Sequence, residues 1–175
     1  MEFRLFTNEI ENLKTLMTNN TWDYHLNKIV EEETIQQKYD NGYYQDDRET
    51  YWIIDDNKMK VGIVLIEDIN DSILSLDIRI DKQYRGNGYG VNTLLWLQDY
   101  LFGEKGKIRI EGYTRVDNIG MRKCFSKAGF VKEAYLRDAW ENIDGSATDS
   151  ILYSSIKSDW KNGKITPIRL NDIPY

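Results

Sequence analysis

The sequence predicts one α+β domain in which a central mixed, mostly antiparallel sheet is flanked by helices. A chain of 175 residues supports one substantial core and is short for two. Three β-rich runs are separated only by turn residues, which indicates an antiparallel meander. Beyond the meander, helical and strand periodicities alternate, so two further helices and three further strands are expected.

The elements follow one another in a simple order. Residues 3–6 are predicted to form the first strand. Asn8 and Glu11 match a capping box for a helix that runs to about residue 17. Apolar residues three and four apart predict a second amphipathic helix over 22–39. The remaining predictions are strands 50–55, 60–68 and 74–80, helix 88–102, strand 107–114, helix 117–128, and strands 130–135 and 149–156.

Charge and cysteine content restrict the partners and the compartment. The chain has 23 basic and 29 acidic residues, a net charge of −6, which disfavours nucleic acid and favours cationic substrates such as amines. Cys124 is the only cysteine, so no internal disulfide forms and a reducing compartment is expected. No apolar stretch is long enough for a bilayer, and the start does not match a signal peptide. We therefore predict a cytoplasmic protein with no membrane partner.

The most informative segment is 76–90, where a strand leads into a turn with glycines at 86, 88 and 90 and then into a helix. Glycines lack Cβ atoms, so a ligand can approach the backbone closely. The N-terminus of the following helix offers free N–H groups and the positive end of its dipole, which suits a pyrophosphate. A P-loop would need Gly-Lys-Ser or Gly-Lys-Thr, which is missing, and a dinucleotide fold would need a parallel βαβ unit. On the glycines alone, a structural turn and a phosphate site are both open.

Two motifs resemble the GNAT superfamily of N-acetyltransferases. Arg85-x-x-Gly88-x-Gly90 is similar to the family's Arg/Gln-x-x-Gly-x-Gly/Ala signature. Asn118 with the run at 125–130, Phe-Ser-Lys-Ala-Gly-Phe, resembles the family's Asn … Tyr-x-Lys-x-Gly-Phe helix. The residues after 130 resemble the branch that includes ribosomal-protein N-terminal, spermidine and some aminoglycoside acetyltransferases.

The resemblance covers about residues 60–156. It implies a single GNAT-like acetyltransferase domain over 1–175, with that motif-bearing core and a C-terminal extension at 157–175. The implied co-substrate is acetyl-CoA, with no metal. The acetyl group would pass to a primary amine by direct attack in a ternary complex. The acceptor would be a cationic amine such as a peptide N-terminus, a polyamine or an aminoglycoside, and a homodimer is left open.

The family also implies which residues bind the cofactor. The main chain of residues 78–80 would bind the pantetheine arm, and the N–H groups of 85–90 would hold the pyrophosphate. Asn118 would contact the cofactor or cap its own helix, and Lys127 would lie near the adenosine end. The full implied set is Ile78, Arg79, Ile80, Arg85, Gly86, Asn87, Gly88, Tyr89, Gly90, Asn118 and Lys127.

The free-energy costs of the two proton transfers show which catalytic group the reaction needs more. Removing a proton from a lysine-like amine of pKa about 10.4 costs roughly 4.6 kcal/mol at pH 7, whereas releasing a thiolate of pKa about 8.5 costs roughly 2 kcal/mol. A base therefore matters more than an acid. Asp77 is the first candidate and Glu111 the second, both acting through water. An exposed strand carboxylate without a catalytic role is the alternative for each.

The family's usual general acid is missing, because Phe125 stands where many family members have a tyrosine. Phenylalanine cannot donate a proton, so a catalytically weak acyl-CoA-binding regulatory module is the alternative function. Tyr113, Tyr135 and Ser126 are the possible replacements for the acid. His25, the only histidine, is predicted to be structural.

Overall fold

A computed structural model describes residues 1–169 and 172. In this part the chain forms a seven-stranded sheet and four α-helices in the predicted order, followed by a fifth, short helix that the sequence did not predict. The strands are β1 (Glu2–Leu5), β2 (Arg48–Ile54), β3 (Lys60–Glu67), β4 (Ile73–Ile80), β5 (Arg109–Arg115), β6 (Val131–Glu141) and β7 (Ala147–Ile156). The helices are α1 (Ile10–Thr18), α2 (Glu32–Asp40), α3 (Tyr89–Gln98), α4 (Ile119–Lys127) and α5 (Lys157–Asn162).

The sheet has the strand order β1-β2-β3-β4-β5-β7-β6. Strands β1 to β4 form the predicted antiparallel meander. Among the described strands, only β4 and β5 pair in parallel, and their pairing runs from Ile73↔Arg109 to Ser75↔Glu111. Beyond Ser75 the two strands separate and leave a gap in the sheet. The mixed, mostly antiparallel sheet is therefore confirmed, and the gap sets the position of the site.

Helices pack on both faces of the sheet and create two hydrophobic clusters. Helices α1 and α2 bury Leu13 and Ile35 against Trp52 and Ile63. Helices α3 and α4 pack on the opposite face. Because side chains alternate along a strand, β4 directs residues 76, 78 and 80 toward α3 and α4, while 77 and 79 face the other side.

Two predictions for the N-terminal third are wrong. Helix α1 begins at Ile10, and Glu9 occupies the N-cap position without a side-chain cap, so Asn8 forms no capping box. Glu11 instead forms an ion pair with Lys14, at 3.0 Å.

The predicted helix over 22–39 exists only from Glu32. Residues 22–31 form turns, and the Trp22 indole donates to the carbonyl of Met17 at 2.9 Å. Leu26 and Ile29, which gave the segment its helical spacing, are 45% and 67% exposed. Their spacing therefore reflects no buried face.

Smaller differences occur nearer the C-terminus. Helix α3 ends at Gln98 and continues as a π-helical turn over Asp99–Glu104, where the sequence predicted one helix to 102. The β6–β7 hairpin is longer than predicted at both strands. In the predicted extension, α5 occupies Lys157–Asn162, and residues 170, 171 and 173–175 lie outside the described part. Within the described part, no helix is long and apolar enough to cross a membrane.

Candidate active site

The glycine turn joins β4 to α3 through a short, tightly bonded segment. Asp81 accepts a bond from the backbone N–H of Gln83 at 2.9 Å and starts a 3₁₀ turn over Lys82–Tyr84. Gly86 and Gly88 follow with φ of +84° and +86°, a backbone region that side-chain-bearing residues rarely adopt. A Cβ atom at either glycine would meet nothing within 4 Å. Glycine is therefore required here by the backbone, and the space beside it is open.

The third glycine of the motif has a different role. Gly90 lies in α3, and a Cβ atom there would come within 3.1 Å of the Cys124 sulfur. Close packing of α3 on α4 therefore favours glycine here, since a side chain would push against Cys124. Burial raises the pKa of the Cys124 thiol, so the thiol is neutral at pH 7.

The N-terminus of α3 is available to an anion. Its N-cap is Gly88, which offers no side-chain bond to the first N–H groups of the helix. Helix α4 differs, since Asn118 accepts a bond from the Met121 N–H at 3.1 Å. The capping alternative for Asn118 is thus confirmed, and its cofactor contact stays a prediction. The first turn of α3 retains free donors and a positive dipole end, which suit a phosphate.

A cavity of about 510 Å³ runs from this turn to the gap beside β4. Most of the cofactor residues implied by the resemblance line its wall, as do residues 21–25 from the connection between α1 and α2. Asn87, the Arg79 side chain and both candidate bases are not part of the wall. The predicted residues that line it are Ile78, Ile80, Arg85, Gly86, Gly88, Tyr89, Gly90, Asn118 and Lys127.

Sequence reasoning missed two parts of this wall. Lys123 lies four residues before Lys127 on α4, and both line the cavity. That i, i+4 spacing was a readable signal, because it places two cations on one helical face. Asp23 and His25 also line the cavity, but the wrong helix prediction for 22–39 concealed them.

His25, Asp77 and Arg79 form a polar cluster at the edge of the cavity. Arg79 Nε donates to Asp77 Oδ2 at 2.9 Å, and Arg79 Nη2 lies 3.3 Å from His25 Nδ1. Because a guanidinium only donates, Nδ1 accepts, and the ring proton of the neutral imidazole is on Nε2, 3.9 Å from Asp77 Oδ1. The histidine therefore links residues 21–25 to β4.

Charges and burial shift both titratable groups of this cluster. Burial raises the pKa of Asp77, but Arg79 and His25 lower it more, so the net pKa lies below the ordinary value. Burial lowers the pKa of His25 below 6.5, and the nearby Asp77 opposes this only in part. At pH 7 the site thus holds an ionised, paired carboxylate and a neutral imidazole. Arg79 therefore balances the charge of Asp77 within the cluster.

Glu111 lies on the same face as Asp77 but at the last paired position of β4 and β5. Arg109 Nε donates to it at 2.6 Å, and the Tyr113 hydroxyl donates to its other oxygen at 2.9 Å.

The Tyr135 hydroxyl is likewise bonded to Asp149. Ser126 is exposed and is not part of the cavity wall. The structure therefore places none of the candidate acids on the wall.

Phe125 belongs to the core rather than to the cavity. It is 1% exposed and stacks on Tyr153, with ring centroids 5.0 Å apart. Its ring also lies against Gly112 on β5, where a Cβ atom would come within 2.2 Å of the ring. The residue in the family's tyrosine position thus packs beneath β5 just past the paired register.

Comparisons with known proteins agree with this geometry. A model of the Acetyltransferase (GNAT) domain family matches residues 2–131, which include the glycine turn and α4. No curated protein matches the sequence.

Solved structures share the fold. The chain is similar to spermidine N-acetyltransferase from Vibrio cholerae in complex with CoA and spermine, with a TM-score of 0.80 and 20% identity over 92% of this chain and 98% of that one. It is also similar to spermidine/spermine N-acetyltransferase SpeG from Vibrio cholerae in complex with manganese ions, with a TM-score of 0.75 and 17% identity over 94% and 96% of the two chains. At these identities the likeness establishes the fold alone. Because the family model covers most of the chain and both motifs, the chain belongs to the GNAT family of acetyl-CoA-dependent N-acetyltransferases.

Proposed function

We propose that this chain transfers the acetyl group of acetyl-CoA to a primary amine by direct attack in a ternary complex. One observation carries the proposal. A single cavity joins the uncapped N-terminus of α3 to the gap between β4 and β5. The cofactor can bind at the helix while its thioester reaches the gap, where an amine arrives from the other side.

The cofactor end combines backbone donors with side-chain cations. The N–H groups of 85–90 would bind the pyrophosphate, since their turn is open and the helix dipole favours an anion. Lys123 and Lys127 would attract the adenosine phosphates from α4. Past Ser75, β4 has no pairing partner on the β5 side, so the main chain of 78–80 is available to the pantetheine amides. A protein of net charge −6 thus offers a polyanion a local cationic site.

We propose a cationic acceptor, with Asp23 as its recognition group. Asp23 is an exposed carboxylate on the cavity wall. Within the described residues it takes part in no ion pair. The complex of the Vibrio cholerae enzyme with spermine gives a precedent for a polyamine in this fold. A peptide N-terminus or an aminoglycoside would present the same ammonium group.

Asp77 is the better of the two candidates for receiving the amine proton through water. It lies two residues past the last paired position, beside the gap, whereas Glu111 is at that position and is bonded to Arg109 and Tyr113. The low pKa of Asp77 makes it a weak base, so its negative charge would chiefly stabilise the cation that forms as the amine attacks. The thiolate can leave unprotonated at a cost of roughly 2 kcal/mol, which is consistent with Phe125 in the tyrosine position.

Thiol release from acetyl-CoA, measured with a panel of polyamines, aminoglycosides and peptides, tests the proposal. Asp23→Asn should raise KM for the best amine by roughly two- to fivefold, as expected for the loss of one ion pair in a partly open site. Glu104→Gln removes the same charge beyond the far end of α3, a helix about 15 Å long, and should leave KM unchanged. Tight acetyl-CoA binding without turnover of any amine would favour the regulatory module instead.

A further inference from the structure

Residues 20–25, the segment that brings Asp23 and His25 to the cavity, are attached to the glycine turn. Asn20 is 3% exposed, and its Oδ1 accepts from the Lys82 N–H at 2.7 Å. Its Nδ2 donates to Asp81 at 3.2 Å. These bonds join the connection between α1 and α2 to the loop that starts the cofactor site. The two walls of the cavity are therefore one connected unit.

Trp22 strengthens this connection from the middle of the segment. Trp22 is 4% exposed, and two guanidinium groups lie against its ring. The Arg79 Cζ is 5.2 Å and the Arg85 Cζ is 5.3 Å from the ring centroid. Both distances fall within the range of a cation–π contact. Arg79 approaches from β4 and Arg85 from the glycine turn, so the indole is held by both.

The hydrogen bonds of Arg85 also connect the 20–25 segment to β4. Its Nε donates to the carbonyl of Ile80 at 2.9 Å, and its Nη2 donates to the carbonyl of Thr21 at 3.1 Å. The side chain thus binds the end of β4 and the 20–25 segment at once. Two of its N–H groups are therefore bonded to protein carbonyls, and its guanidinium lies over the Trp22 ring.

We propose that the Arg85 side chain is a positioning residue that holds residues 20–25 as the acceptor wall, and that it is not a ligand of the cofactor's pyrophosphate. The pyrophosphate is then left to the backbone N–H groups of the turn. The proposal rests on the proposed function, because an acceptor wall matters only if the cavity receives an amine. Loosening the wall displaces Asp23 and His25 together, so it weakens acceptor binding more than cofactor binding.

Arg85→Gln tests this, with Lys127→Gln as the matched control that removes a cation from the cofactor side. Three quantities are measured for each variant: the Kd for CoA by calorimetry, the KM for the best amine, and the 19F resonance of 5-fluorotryptophan at Trp22. Loss of a signal in Trp22→Phe assigns that resonance among the five tryptophans.

For Arg85→Gln we expect a shifted Trp22 resonance, an amine KM raised about three- to tenfold, and a CoA Kd within about twofold of the parent. For Lys127→Gln we expect a weaker CoA Kd and an unmoved Trp22 resonance. An unmoved resonance in Arg85→Gln, or a CoA Kd raised about tenfold or more, overturns the proposal. If the parent turns over no amine, the proposed function fails, and the resonance and the CoA Kd still decide the role of Arg85.

Discussion

The contact between Gly112 on β5 and the Phe125 ring yields a quantitative prediction about the stability of the fold. A Cβ atom added at Gly112 would lie 2.2 Å from Phe125 Cζ and 2.5 Å from Cε1. The ring cannot easily move away, because Tyr153 stacks on it and Phe130 lies 5.2 Å from it. We expect Gly112→Ala to cost about 1–3 kcal/mol in overpacking, partly offset by about 0.4–1 kcal/mol of lost unfolded-state entropy. The net loss of unfolding free energy should be roughly 0.5–2 kcal/mol.

A double-mutant cycle isolates this contact. Phe125→Leu alone leaves part of the ring volume empty and should cost about 1–2 kcal/mol, less than the 3–5 kcal/mol of a phenylalanine-to-alanine change. In the double variant, the vacated space receives the new methyl group. The combined loss should therefore be smaller than the sum of the two single losses by at least about 0.5 kcal/mol.

Urea unfolding of the four proteins, with equal m values, measures the cycle. Losses that add to within about 0.3 kcal/mol would show that the ring and the glycine do not constrain each other, contrary to the packing described. Phe125→Leu also bears on mechanism. If packing is the only role of this ring, the variant should keep kcat within about tenfold of the parent wherever it is fully folded. Lost turnover with intact folding and CoA affinity would place the ring at the thioester.

Other predictions concern the cofactor turn and the polar cluster. Gly88→Val forces a side chain into φ of +86° and into the phosphate space, so acetyl-CoA should no longer raise the Tm of a still-folded protein. Because the pKa of His25 is lower in the fold than its ordinary 6.5, the unfolded chain binds this proton more strongly. The unfolding free energy should therefore fall as pH drops below about 6.5, and less so in His25→Gln, by urea titration at several pH values. Asp77→Asn should lower kcat more than Glu111→Gln does, as measured by thiol release from acetyl-CoA. Equal losses of kcat would contradict the ranking of the two carboxylates.

Local signals explain which parts of the fold the sequence predicted. The meander strands alternate in short runs with turn residues between them, and their observed bounds differ by a few residues at most. The turn at 85–90 and the cap at Asn118 are likewise encoded in adjacent residues, so a motif suffices to find them. Residues 22–31 differ, because their conformation depends on contacts of Trp22 with Met17 and with two distant arginines. Helical spacing in that segment carried no information about these contacts.

The ion pair between Asp77 and Arg79 could have been predicted from the sequence, whereas the positions of Asp23 and His25 on the cavity wall could not. Residues two apart on a strand share a face, so Arg79 beside Asp77 could have predicted a neutralised carboxylate. Predicting the position of His25 and Asp23 would have required the course of the non-helical connection between α1 and α2, residues 19–31. No periodicity describes such a segment, since its shape follows from the surface on which it packs.

In the proposed reaction, the alternation of side chains along β4 would let one strand serve both substrates. Ile78 and Ile80 line the cavity on the face of α3 and α4, while Asp77 and Arg79 lie on the opposite face with His25. In a continuous sheet these faces would be separated by the backbone and its hydrogen bonds to β5. Here the pairing stops at Ser75, so the backbone of the next residues is open to a ligand along its edge. In the proposed reaction, a thioester lying along that edge would be accessible to an amine from the polar face. Separation of the two strands, rather than any single side chain, would therefore let the reacting atoms meet.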